Sequence, residues 1–111
     1  MANSKFKIGR LTIGGDEYPA CVNVRVMQRL EDAGINMEDA LSGETNRWTN
    51  LIKLVYLAMD EGARLTGSDA PPVEDDLASM IDVTDLADVS EQIAVLLGAK
   101  GRTVEADPPK N

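Results

Sequence analysis

A hairpin pattern near the start of the chain constrains the fold more than any other feature. Apolar and polar side chains alternate up to Ile13, and Gly14-Gly15 follows, a pair that accepts the positive φ angles of a two-residue turn. Tyr18 and Ala20 then provide the apolar face of a return strand. All later segments have helical periodicity. The sequence therefore predicts an α+β fold that is mainly helical, with a short N-terminal β-hairpin followed by about five α-helices.

Two positions predict irregular pairing within this hairpin. The alternation before Gly9 is out of phase with that of Leu11 and Ile13, so either a β-bulge at Gly9 or a break into two short strands is needed. Pro19 has no N–H group. We therefore expect its strand at a sheet edge, or Pro19 itself at a position that needs no ladder hydrogen bond.

The helical segments are expected to pack around the longest of them, residues 45–65. Its apolar residues cover more than half of the circumference, which is typical of a central helix. Within it, Trp48 is expected to be a core anchor rather than part of an interface, and Glu61 to mark exposed surface. Helices are predicted over residues 24–33, 37–41 and 45–65, from Pro72 onward, and from Thr84 to a stop at Gly98.

The chain length of 111 residues is appropriate for one domain. We predict that residues 1–98 form this single domain of hairpin and helices. Residues 99–111 contain Pro108-Pro109, several charges and almost no apolar side chains, so they are predicted to be a disordered tail.

The residue types that carry most enzymatic chemistry are scarce. The chain contains no histidine, the most frequent general base and metal ligand. Its one cysteine, Cys21, can form neither an internal disulfide nor a two-thiol metal site, and we expect it to be buried. Neighbouring carboxylates such as Asp75 and Asp76 point about 100° apart on a helix and do not converge on one atom. The sequence predicts no catalytic residue, no metal ligand and no cofactor.

The net charge of −8 is carried by the second half of the chain. Residues 1–55 hold seven basic and seven acidic side chains, whereas residues 56–111 hold four basic and twelve acidic ones. Such a surface repels nucleic-acid phosphates and favours a basic or mixed-charge protein partner. No stretch has the length and apolarity of a membrane span or a signal peptide, so the cytoplasm is the expected location.

One acidic pattern has two interpretations. Asp82, Asp85, Asp88 and Glu91 recur every three residues, and those from Asp85 onward fall opposite the apolar face of the last helix. They are either the solvated face of an amphipathic helix or a partner-binding surface for a basic segment. Asp85, Asp88 and Glu91, hereafter the acidic stripe, are the candidate partner-binding residues.

Several loose motifs occur in a particular order along the chain. They are a strand–Gly-Gly–acidic–Tyr hairpin, a Leu-Glu helix that ends in glycine, a short Asp-Ala-Leu helix and an apolar helix, followed by two acidic amphipathic helices. The segments are Leu11-Thr12-Ile13-Gly14-Gly15-Asp16-Glu17-Tyr18, Leu30-Glu31-Asp32-Ala33-Gly34, Asp39-Ala40-Leu41 and Leu54-Val55-Tyr56-Leu57-Ala58. In this layout the chain resembles the tail assembly chaperones of long-tailed bacteriophages and prophages.

The resemblance implies a non-enzymatic role in the cytoplasm of a bacterial host. Such chaperones bind the tape measure protein, keep its long helices soluble and help to recruit tail tube subunits, and they are absent from the finished virion. The expected mechanism is reversible coating of apolar surface on a partner's helices, with surface charge opposing aggregation. An exposed hairpin edge could also pair between subunits, so a homo-oligomer is conceivable.

Two other functions remain open on the residues alone. An acidic regulatory module could act as a DNA-mimic inhibitor that presents carboxylates to a basic protein cleft, and the charge excess after residue 56 agrees with this. A small hydrolase could use paired carboxylates such as Asp75 and Asp76, although their divergence on a helix disfavours this alternative.

Overall fold

The hairpin and five helices follow one another along the chain in the order that the sequence predicts. The structure, a computed structural model, describes residues 8–98; the predicted tail at 99–111 lies outside this range. The α+β, mainly helical fold is confirmed. The elements are β1 (Gly9–Ile13), β2 (Asp16–Ala20), α1 (Val24–Asp32), α2 (Met37–Ser42), α3 (Arg47–Thr66), α4 (Glu74–Met80), a 3₁₀ turn (Val83–Asp85) and α5 (Leu86–Leu96).

The hairpin is a regular antiparallel ladder. Residues pair one to one from Gly9 with Ala20 to Ile13 with Asp16, and Gly14-Gly15 forms the two-residue turn. Within the described range the ladder begins at Gly9 and contains no bulge there. The other alternative, a break into two short strands, involves residues 1–7, which lie outside that range. Because the strand starts at Gly9, Leu11 and Ile13 both face the core without any shift in the alternation of side chains.

Pro19 occupies a position that needs no ladder hydrogen bond. Hydrogen-bonded and non-hydrogen-bonded pairs alternate away from the turn, so Arg10 and Pro19 form a non-hydrogen-bonded pair. The nitrogen of Pro19 thus faces away from β1, and pairing continues through it to Ala20. One of the two alternatives predicted for Pro19 is confirmed, but the pairing itself is not irregular.

β2 packs directly against the backbone of α3. Just after β2, Cys21 N–H donates a hydrogen bond to the Ala58 carbonyl oxygen at 3.0 Å. One turn further along α3, a Cβ placed on Gly62 would collide with the Pro19 carbonyl group and the Ala20 nitrogen. Glycine at position 62 therefore allows helix and strand to approach more closely than any side chain would permit.

Short-range caps set the ends of the first two helices. The Asn23 side chain accepts a hydrogen bond from Val26 N–H at 3.1 Å, so Asn23 is the N-cap of α1. Asn36 caps α2 in the same way through Asp39 N–H at 2.7 Å. Gly34, with a φ of 80°, follows α1 in the left-handed conformation typical of a helix end.

α3 is the central helix, as its apolar circumference predicts. It contacts β2, α1, α2 and α4, and it supplies a large part of the buried core. β1 and β2 close one side of this core through Leu11, Ile13 and Ala20. The α3 residues in the core are Leu51, Leu54, Val55, Leu57, Ala58 and Met59.

α5 connects the end of the described chain to its beginning. Gln92 on α5 accepts a hydrogen bond from Thr12 N–H at 2.7 Å and donates one to the Thr12 carbonyl oxygen at 3.1 Å. Thr12 lies in a non-hydrogen-bonded pair, so both of its backbone groups face away from β2. The side-chain amide therefore occupies the outer edge of β1 in the way that a neighbouring strand would.

Candidate functional site

The residues of the acidic stripe are divided between two surfaces. Asp85 ends the 3₁₀ turn, Asp88 and Glu91 lie on α5, and all three side chains are exposed. Asp85 and Asp88 line a cleft between α5 and the hairpin turn, whereas Glu91 is not among its lining residues. The structure therefore places Asp85 and Asp88 beside this cleft, whereas Glu91 lies outside it, one turn after Asp88 on the outer side of α5.

The cleft beside the hairpin turn combines apolar and acidic walls. It has a volume of about 360 Å³, and Gly14-Gly15 forms the side opposite Asp85 and Asp88. Asp88 also accepts a hydrogen bond from Gln92 Nε2 at 3.0 Å, which orients its carboxylate along α5. Apolar surface next to carboxylates suits the aliphatic stem and charged head of lysine or arginine. The apolar residues of this cleft are Ile13, Ile81 and Val89.

The outer face of α5 is not purely acidic. Val95 lies two helical turns after Asp88 and four residues after Glu91, so the three share one side of the helix. Its side chain is 51% exposed. This face therefore presents apolar surface next to its carboxylates, toward the end of α5, whereas the sequence pattern predicts only charge.

A second cleft lies between the start of α3 and the start of α5. Trp48 and Val83 stand at its sides, 55% and 62% exposed, and Leu51 and Leu86 contribute deeper surface. The prediction that Trp48 is a core anchor is wrong. Trp48 is on the same side of α3 as the buried Leu51, but it lies in the first helical turn and remains more than half exposed.

Glu61 is a buried carboxylate, and the prediction that it marks exposed surface is wrong. It is 1% exposed and is surrounded by donors from α1 and α3. Asn23 Nδ2 donates to Glu61 Oε2 at 2.8 Å, and Arg64 donates to both carboxylate oxygens at 2.9 and 3.1 Å. Arg25 Nε lies 3.2 Å from Oε1. The carboxylate joins the N-cap of α1 to α3.

The surroundings of Glu61 keep it ionised. Hydrogen bonds from Arg64 lower the pKa of Glu61, and Asn23 and the charges of Arg64 and Arg25 act in the same direction, against the opposing effect of burial. Cys21, which is buried as predicted, has its pKa raised by burial and then by the Glu61 charge. The thiol is thus held in its less reactive protonated form.

The carboxylates at the start of α4 do not converge on one point. Glu74 Oε2 pairs with Lys53 Nζ at 2.7 Å, which ties α4 to α3, while Asp75 and Asp76 are exposed in the first helical turn. Carboxylates in a first turn interact favourably with the helix dipole. This placement gives the acidic triplet a structural role at the start of α4.

Three results describe the remaining chemistry and the relationships of the chain. Within residues 8–98, no three side chains of histidine, cysteine, aspartate or glutamate are grouped so that they could hold a metal ion. No helix in the same range combines the length and apolarity needed to cross a bilayer.

Comparison with models of protein families, with curated protein sequences and with solved structures finds no match.

Proposed function

We propose that this protein is a non-catalytic tail assembly chaperone of a long-tailed phage or prophage. It binds and solubilises the tape measure protein in the bacterial host cytoplasm and helps to recruit tail tube subunits. The observation that carries the proposal is the outer face of α5, where the exposed Val95 lies one turn after Glu91 and two turns after Asp88 on the same side of the helix. A face of this kind can cover apolar surface on a partner helix while its charges remain in water.

The distribution of charge supports the same function. Acidic side chains exceed basic ones by eight in residues 56–111, which include α4 and α5. A complex coated with like charge resists association with further copies. The same charge attracts basic segments of a partner at long range, and this attraction weakens as salt rises.

Co-expression with the tape measure protein of the same phage or prophage tests the proposal. With this chain present, the tape measure protein should remain in the supernatant and should co-purify with it. Expression of the tape measure protein alone provides the baseline. Equal amounts of soluble tape measure protein with and without this chain, together with no co-purification, would contradict the assignment.

A charge-reversed variant tests the contribution of the acidic stripe. Substitution of Asp85, Asp88 and Glu91 by lysine should reduce co-purification, since it reverses the charge that faces a basic partner. The matched control, with the same change in net charge, substitutes Glu17, Glu31 and Asp32, which are exposed on the hairpin and α1. Circular dichroism checks that both variants fold. If both bind as the wild type does, the stripe is only solvated surface.

Salt-sensitive binding to a DNA-processing enzyme provides the contrasting result. If the chain inhibits such an enzyme and does not bind the tape measure protein, the acidic inhibitor function replaces the chaperone function. Measurement of both binding reactions at low and high salt separates the two functions in one set of experiments.

A further inference from the structure

The cleft beside the hairpin turn, hereafter the hairpin cleft, joins two parts of the chain that are far apart in the sequence. One side comes from the end of β1 and the turn, and the other comes from Ile81, the 3₁₀ turn and the start of α5. Its volume of about 360 Å³ falls within the range of about 300–1,000 Å³ that is typical of ligand sites. The hairpin cleft is therefore large enough to receive one long side chain.

Apolar and charged surface lie at different depths of the hairpin cleft. Ile13 and Val89 are buried and form an apolar floor, whereas Asp85 and Asp88 are exposed at the edge. The Gly14-Gly15 turn carries no side chain that would fill the space above this floor. A lysine or arginine side chain lying along the cleft therefore places its aliphatic stem on apolar surface and its charged head beside carboxylates.

The charge of the hairpin cleft is negative throughout. Among the described residues, the charged ones that line it are Asp85 and Asp88. Within residues 8–98 neither carboxylate forms an ion pair, and the hydrogen bond to Asp88 comes from the neutral Gln92. By contrast, Glu61 is paired with arginine and Glu74 with lysine. The fold thus supplies no cation to the hairpin cleft, and a positive charge from outside complements it.

We propose that the hairpin cleft receives one lysine or arginine side chain from a partner protein. The stem of that side chain packs against the apolar floor, and its charged head lies beside Asp85 and Asp88. The inference rests on the proposed function, for which it names the site where the acidic stripe holds a basic residue of the partner. It also divides the stripe, because Glu91 lies outside this cleft.

Peptide binding tests the proposal directly. The probe is a synthetic amphipathic peptide of about 18 leucine and lysine residues, long enough to form helix on binding. In NMR spectra of the ¹⁵N-labelled chain, this peptide should shift the amide signals of Gly14 and Gly15, which lie in the hairpin cleft. The same peptide with glutamate in place of lysine should leave both signals unchanged, because its charge has the wrong sign.

A third peptide separates insertion into the hairpin cleft from general attraction to an acidic protein. It has 2,3-diaminopropionic acid in place of lysine, which keeps a basic amine but shortens the aliphatic stem by three methylene groups. Because the stem no longer covers the apolar floor, this peptide should bind about threefold or more weakly than the lysine peptide. Fluorescence anisotropy of fluorescein-labelled peptides, at a pH where both amines are charged, measures the two affinities.

Substitutions locate the binding site on the chain. Asp85→Asn combined with Asp88→Asn should reduce affinity for the lysine peptide about tenfold or more and lower its dependence on salt. Glu31→Gln combined with Asp32→Asn is the matched control, since it removes the same charge from exposed residues of α1 and should leave affinity nearly unchanged. Glu91→Gln should weaken binding less than Asp88→Asn does. Circular dichroism and thermal unfolding verify the fold of each variant.

Several outcomes would overturn the inference. Equal affinity of the double variant at Asp85 and Asp88 and of the α1 control places the peptide elsewhere. Equal affinity of the lysine and diaminopropionate peptides means that the apolar floor takes no part and that binding is only attraction between opposite charges. Tighter peptide binding by a full-length chain with Lys100→Gln and Arg102→Gln means that basic residues of this chain, rather than a partner, occupy the hairpin cleft.

The tape measure protein separates this inference from the proposed function. If wild-type chain fails to co-purify with the tape measure protein, the proposed function is contradicted. If the complex forms equally well with wild type and with the double variant at Asp85 and Asp88, the function stands and only the assignment of the hairpin cleft fails.

Discussion

At the scale of single residues, Glu61 shows how a charged side chain becomes part of a protein interior. Its carboxylate is buried but receives hydrogen bonds from Asn23 and Arg64 and lies against Arg25. A buried carboxylate without such donors would be costly, whereas one with these partners stays ionised. Helical spacing alone cannot reveal this arrangement, because Asn23 and Arg25 belong to a different part of the chain. The Arg64 pair at a spacing of three residues was the only local signal.

Glu61→Gln should lower the free energy of unfolding by about 2 kcal/mol at pH 7, since charge-assisted hydrogen bonds are lost. The pKa of Glu61 is lowered in the folded protein. The stability that ionised Glu61 contributes is therefore complete above its ordinary value of about 4.5 and is lost as pH falls through the lowered pKa. Urea unfolding of both proteins should show their difference shrinking below that pH.

The exposed Glu31 on α1 provides the control for this prediction. Glu31→Gln should change the free energy of unfolding by less than about 0.5 kcal/mol. A Glu61→Gln protein as stable as the wild type at pH 7 would show that the donors around Glu61 are satisfied equally well without the charge.

At the scale of secondary structure, local signals predicted the elements well and their burial less well. The caps at Asn23 and the glycine stop at Gly34 depend on neighbouring residues, so the sequence was sufficient to place the ends of α1 within a residue or two. Trp48 has the correct spacing for the buried face of α3, but it stays exposed at the start of that helix, beside a cleft that Leu86 of α5 also lines. The apolar pattern defines a face, and only the packed fold decides how much of that face is covered.

The contact between α3 and β2 carries a prediction at this scale. Gly62→Ala should gain helix propensity worth about 1 kcal/mol, but its Cβ would collide with the backbone of Pro19 and Ala20, which cannot rotate away. We expect a net loss of about 2 kcal/mol in the free energy of unfolding, measured by urea titration. Thr49→Ala, at an exposed position of the same helix, should change stability by less than about 0.5 kcal/mol.

If Gly62→Ala were as stable as the wild type, β2 would have to move away from α3. The hydrogen bond from Cys21 N–H to the Ala58 carbonyl oxygen lies beside this contact, so its amide proton would then exchange faster with solvent. Hydrogen exchange of that amide distinguishes a displaced strand from an unchanged one.

At the scale of the whole molecule, the fold class could be predicted from the sequence, but the surfaces could not. A hairpin pattern followed by helical periodicity is sufficient to define the α+β class. Asp85 and Asp88 line the cleft beside the hairpin turn, whereas Glu91 does not. This arrangement depends on the change from 3₁₀ turn to α-helix at Leu86 and on the position of the hairpin turn beside Asp85. The cleft joins residues of the hairpin to residues about 70 positions later, and residue spacing within one helix cannot predict such a contact.

The contact between Gln92 and Thr12 belongs to this scale because it joins residues 80 positions apart. Gln92→Ala removes both hydrogen bonds to Thr12 and should lower the free energy of unfolding by about 1–2 kcal/mol. The Thr12 amide proton should also exchange faster in hydrogen-exchange measurements. Asp88→Asn alters the carboxylate that accepts from Gln92 but keeps both Thr12 bonds, so its Thr12 exchange should remain slow. Unchanged Thr12 exchange in Gln92→Ala would contradict this account.

The same contact has a consequence for protein synthesis. β1 leaves the ribosome long before Gln92 is made, so during that interval the outward N–H and C=O groups of Thr12 have no partner from α5. An open strand edge in a growing chain invites pairing with other chains. Native structure can therefore be completed only late in translation, and a chain truncated before Gln92 would carry that open edge into the cell.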